Sequence, residues 1–200
     1  MKTNLLSLLL KSISVIIFFT GLSFIAVGQV TYYVDDDTGD DSRTPLEAQN
    51  PATPWLTVTH AINTVTDGDT IVVAPGTYSE QITVDKSITL RGATYNVNKN
   101  GYAVPANYAW DDNVETILDC PAGVQIYFLI DNVNNVIVEG FVIQALYRDS
   151  HVQNHLFYIK ASSQTVDNVL IRNNVIGPNT NIVDQDGTKG RMNLDIDMIQ

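Results

Sequence analysis

The chain has 200 residues, of which 44% are hydrophobic, and its 22 acidic side chains outnumber 11 basic ones for a net charge of −11. That balance argues against a nucleic-acid partner, which is held by Lys and Arg displacing counterions. The single cysteine, Cys120, cannot form an internal disulfide, and its place at the end of an alternating run predicts a buried core thiol.

The chain opens with Lys2 and Lys11, an apolar run from Ile13 to Val27, and small residues at Ala26 and Gly28. This reads as a secretory signal peptide over residues 1–28, cut near Gly28 or Gln29. The apolar run is short for a membrane span of about 20 residues. The mature chain is therefore expected to lack a stable span and to be secreted or held at the cell surface. Removing the leader takes two basic residues and no acidic ones, leaving −13. So negative a chain repels an acidic polysaccharide unless a cation bridges them or a local basic patch dominates.

Residues 29–68 read as an N-terminal strand ("VTYYV"), an acidic loop and one helix. Val58, Ala61, Ile62 and Val65 fall on a single helical face, with Thr57 as N-cap and Gly68 as a stop. From residue 69 the period becomes two. Ile71 and Val73, Ile82 and Val84, and Ile88 and Leu90 alternate with polar residues, and Val- and Ile-rich strands continue to "MNLDIDMI". Asn and Gly fall at corners inside near-continuous strand pairs, where a hairpin meander would show two-residue turns. Residues 135–140 superpose on 168–173 without a gap, and "SITLRG" matches 135–140 at a longer offset, equal to two coils or to one coil with an insertion. Such repetition predicts a solenoid. Each strand then turns a corner and pairs with its counterpart one coil away, about 4.8 Å distant. The fold expected is all-β: a parallel β-helix over residues 69–200 with a short N-terminal capping α-helix. The terminal run "RMNLDIDMIQ" has no capping signal, so the coils are expected to continue beyond it. A monomer is expected.

The order from a Tyr-Val strand through "DDDTGDD", "TPWLTVTHAI", "GDTI", "PGTYSE" and "KSITLRG" resembles the N-terminal region of secreted right-handed parallel β-helix proteins of the pectin-lyase-like superfamily. The likeness is close over about residues 31–94 and is one of repeat style beyond. It implies a right-handed solenoid. It leaves activity open among lyases, esterases, hydrolases and surface proteins without catalysis.

Three constellations could carry chemistry. Asp35, Asp37 and Asp40 in the first acidic loop, or Asp184, Asp186, Asp195 and Asp197 near the end, could supply the hard oxygens calcium requires, the second set being the better candidate. β-Elimination from a uronate needs a base and a cation to stabilise the developing charge. The resemblance implies a Lys or Arg base beside calcium, for which Lys160 and Arg172 are the candidates. His151 and His155 stand four apart, but in a loop before a strand that spacing loses its helical meaning. The function expected is extracellular and carbohydrate-directed, as a lyase-like enzyme or a polysaccharide-binding protein. The alternative is a non-catalytic, adhesin-like stalk.

Overall fold

The computed structural model describes residues 28–97, 111–120, 126–145, 155–161, 166–176 and 194–197. The leader expected over residues 1–28 thus lies outside the described residues except for Gly28. Among the described residues the strands are β1 (Thr31–Val34), β2 (Thr70–Val73), β3 (Gly76–Tyr78), β4 (Ile82–Val84), β5 (Thr89–Arg91), β6 (Thr116–Cys120), β7 (Ile126–Asp131), β8 (Val136–Glu139), β9 (Phe141–Ala145), β10 (His155–Lys160), β11 (Val169–Arg172), β12 (Val175–Ile176) and β13 (Leu194–Asp197). One α-helix, α1 (Val58–Thr64), precedes β2.

The strands form three parallel sheets. Sheet A runs β1-β2-β5-β8-β11, sheet B runs β3-β6-β9-β12, and sheet C runs β4-β7-β10-β13. Successive triplets, beginning with β2-β3-β4, each complete one coil, so residues 69–92 hold a whole first coil and the start of the second. Strands so close in sequence never pair with each other, which is why no hairpin turn separates them. Parallel crossovers of this kind wind right-handed, and the architecture is a right-handed parallel β-helix.

The inward residues stack in columns. Ile71, Leu90 and Val138 are in register on sheet A, and Val84, Ile130 and Ile159 are in register on sheet C. Val136 and Val138 are fully buried, whereas Val169 and Ile171 in the next coil are partly buried and packed against the same core. Sheet B also buries Ile117, Val142 and Val175, one register row on its outer side and a separate apolar cluster. The longer repeat offset resolves here: Leu90 pairs with Val138, so β5 and β8 are adjacent coils and the extra length is an insertion between β5 and β6.

The corners need a left-handed backbone. Asn135 and Asn168 have φ of 57° and 56°, and the Asn168 Nδ2 donates to Asn135 Oδ1 at 3.0 Å, one coil above the other. Gly140 (φ 84°) and Asn173 (φ 55°) form the next corner in the same two coils. Asparagine and glycine tolerate this region best.

The open first coil is closed by a clasp. α1 packs on β1, β2 and β4, burying Val58, Ala61 and Ile62, with Val65 buried just past its end. Thr57 caps its N-terminus by accepting from His60 N at 3.1 Å. The Glu80 carboxylate accepts from Val58 N and Thr59 N at 2.9 and 2.8 Å, and Lys86 Nζ donates to the carbonyls of Ile62 and Asn63 at 2.8 and 2.7 Å. An anion at the positive end and a cation at the negative end both suit the helix dipole. Trp55 is fully buried, stacks on Tyr32 at 5.1 Å and donates its indole N–H to Arg43 O at 2.9 Å.

Val138→Asp should cost about 4 kcal/mol or more, because it buries a charge without a partner; the shift in urea midpoint measures it. Gly76 has φ 150° and lies against the Asp36 carboxylate, whereas Gly68 has φ 93° and open space around it. Gly68→Ala should therefore cost about 1 kcal/mol of backbone strain, and Gly76→Ala distinctly more in the same melts.

Candidate functional site

The resemblance rests on motifs whose side chains the N-terminal clasp consumes. Asp35 Oδ1 accepts from Asp37 N and Thr38 N, both at 2.9 Å, and Asp40 Oδ1 accepts from Ser42 N at 2.8 Å. Asp36 accepts from Thr77 N at 2.9 Å, and Asp41 accepts from Leu56 N and from the Thr57 amide and hydroxyl. Asp69 accepts from Val30 N, Thr66 N and the Thr66 hydroxyl. In this loop, where calcium is the expectation for Asp35, Asp37 and Asp40, one carboxylate oxygen each of Asp35 and Asp40 is turned onto the loop's own amides. No cluster of three or more His, Cys, Asp or Glu with metal-binding geometry occurs among the described residues.

The coils leave two charged rows on the outside. On sheet A, Arg91, Glu139 and Arg172 occupy one register position on β5, β8 and β11. Arg91 Nε donates to Glu139 Oε1 at 2.7 Å and Arg172 Nε to Oε2 at 2.6 Å. Glu139 is buried although it lies on the outward-facing row, because the two arginines cover it. Burial pushes its carboxyl up, but the hydrogen bonds and charges of Arg91 and Arg172 outweigh burial and hold it below the ordinary glutamate value.

On sheet C, Asp131 and Lys160 are paired in register on β7 and β10, with Lys160 Nζ 3.0 Å from Asp131 Oδ1. The position next in the row on β13 is Asp197. The neighbouring outer row runs Thr83, Leu129 and Tyr158, and the register position next to Tyr158 on β13 is Asp195. Strand pairing therefore brings Lys160, Asp195 and Asp197 to one sheet.

Arg172 stands on a different sheet from Lys160, so the two candidate bases do not share a site, and each is engaged by a carboxylate. Asp184 and Asp186 lie outside the described residues, as does His151, while His155 opens β10. Sequence reasoning missed Glu139. Its signal was its register: an acid at the position where the flanking repeats carry Arg91 and Arg172.

The fold and its outer rows define a capped, right-handed parallel β-helix protein. The family model described as "Protein of unknown function (DUF1565)" matches residues 38–194, and the chain belongs to that family, one of right-handed β-helices. Neither the curated proteins nor the solved structures gave a match. No helix among the described residues is long and apolar enough to cross a membrane.

Because the Glu139 pKa is lowered in the fold, its contribution to stability is present above the ordinary value of 4.5 and is lost as pH falls through the lower folded value. Glu139→Gln should be less stable at neutral pH by about 1 kcal/mol, because the two arginines left unpaired are partly exposed and screened by solvent. Its stability should fall less than that of the wild type on acidification below 4.5. Urea titrations across that range measure both effects.

Proposed function

We propose that this chain is an extracellular, monomeric, carbohydrate-directed protein that binds a polysaccharide along the outer face of sheet C. The observation that carries this reading is the register of that face, where a half-buried Tyr158 adjoins the Lys160 and Asp131 pair, with Asp195 and Asp197 in line on β13. An aromatic ring offers a flat apolar surface to a sugar, and the flanking charges and carboxylates offer hydrogen bonds. Rows repeated about every 4.8 Å suit an extended polymer. The leader-like start, with Lys2, Lys11 and the apolar run from Ile13 to Val27, supports the same class, as does the resemblance to pectin-lyase-like proteins by analogy of fold.

Binding is favoured over elimination. A lyase base must accept a proton beside a cation site, and here Lys160 and Arg172 are each engaged by a carboxylate and stand on separate sheets. Calcium held at Asp195 and Asp197 would bridge an acidic glycan to this negatively charged chain. A stalk is the second reading, favoured by the use of so many motif residues in closing the N-terminal end.

Isothermal titration of the whole chain with neutral and acidic oligosaccharides, with calcium and then with a chelator, tests the proposal. Tyr158→Ala should weaken glycan binding about tenfold, the size of one stacked aromatic contact. Binding to none of the glycans would overturn the reading and leave the stalk. Formation of an unsaturated product absorbing in the ultraviolet would restore the lyase.

A further inference from the structure

We propose that the Arg91, Glu139, Arg172 row and Tyr95 form a second site, on sheet A, for an oxyanion group carried on a sugar, a carboxylate or a sulfate ester. This rests on the carbohydrate reading for the sugar, but not on sheet C for its residues.

The two arginines are held rather than spent. Each gives its Nε to Glu139, whose side chain is only 2% exposed, while the side chains of Arg91 and Arg172 remain 35% and 51% exposed. Among the described residues neither guanidinium makes a hydrogen bond or ion pair through its Nη atoms. A guanidinium oriented through Nε keeps further N–H donors in a planar fork, the geometry that matches a carboxylate or sulfate. The shared carboxylate removes the cost of orienting two long side chains. It also leaves the cluster with one net positive charge on a chain that is −11 overall. Such a site attracts an isolated oxyanion, while the field of the whole protein opposes a densely charged polymer such as nucleic acid.

Tyr95 supplies the surface for a ring. It is 38% exposed, and the Arg91 guanidinium carbon lies 5.1 Å from its ring centroid. Its backbone is pinned by the coils. Asn173 Nδ2 donates to Tyr95 O at 2.9 Å, Thr94 Oγ1 donates to Gly140 O at 3.0 Å, and the Tyr95 backbone lies against Gly140, where any Cβ would collide with it. The insertion between β5 and β6 therefore begins by folding back onto the corner beside the arginine row and fixing an aromatic ring there. Glycine at 140 thus serves twice, for its positive φ and for this close approach.

The test is titration of the full chain with four probes: a uronate tetrasaccharide, a sulfated tetrasaccharide, a neutral tetrasaccharide and inorganic sulfate. At least one acidic sugar should bind more tightly than the neutral one and than inorganic sulfate, and whether it is the uronate or the sulfated one identifies the oxyanion. That affinity should fall with added salt and drop about tenfold in Arg172→Gln, for one charge-assisted contact. It should drop similarly in Tyr95→Leu, which leaves both Glu139 ion pairs in place and keeps the test valid if the arginine variant folds poorly. Acidic-sugar binding unchanged in both variants would overturn the site. If the same binding is instead lost in Tyr158→Ala, the carbohydrate reading stands without it. Inorganic sulfate bound as tightly as either sugar would overturn the role of Tyr95. Failure of every probe would overturn both readings.

Discussion

Parallel, in-register stacking of coils about 4.8 Å apart is the constraint on which this molecule depends. Each outer or inner position has a counterpart directly above and below, so every side chain meets the residue one repeat away. Apolar residues meet as the columns of Ile71, Leu90 and Val138. Asparagine corners meet as the Asn135 and Asn168 ladder. Charges must alternate, because like charges directly opposite would repel, and Arg91, Glu139 and Arg172 do so.

The same stacking creates the problem that the N-terminal region solves. A solenoid ends in an unpaired strand edge and an exposed slice of core. Here β1 pairs with β2, and α1 lies over the first coil. The helix is too short to be stable alone. It is held by residues from the coils it covers, with Glu80 just before β4 at one end and Lys86 just after β4 at the other. The acidic loop is part of this closure. Its carboxylates replace the missing neighbours of a coil by satisfying backbone amides.

Function then falls to what the inner columns and the clasp leave free. Outward positions on sheets A and C are not needed for the core, and the repeat sets them in rows. On the binding reading proposed above, a row carrying a ring beside a charge pair presents side chains whose backbone is already held rigid by strand pairing. Low conformational cost on binding follows from that rigidity.

By itself the sequence determined the class of fold, because a period of two, Asn and Gly corners and an ungapped 33-residue repeat are local properties of the chain. It also placed α1 and its Thr57 cap correctly, since an amphipathic face and an N-cap are read within one helical turn. It left undecided whether "SITLRG" and residues 135–140 were one coil apart or two, and register alone answered that. It offered Asp35, Asp37, Asp40, Lys160 and Arg172 as chemistry from their residue types, but an acid's role depends on which amide or cation reaches it. Asp35 and Asp40 meet their own loop, Lys160 meets Asp131, and Arg172 meets Glu139 across 33 residues of chain. Those partners are fixed by which strands lie side by side, a distance in space that the order of residues does not state.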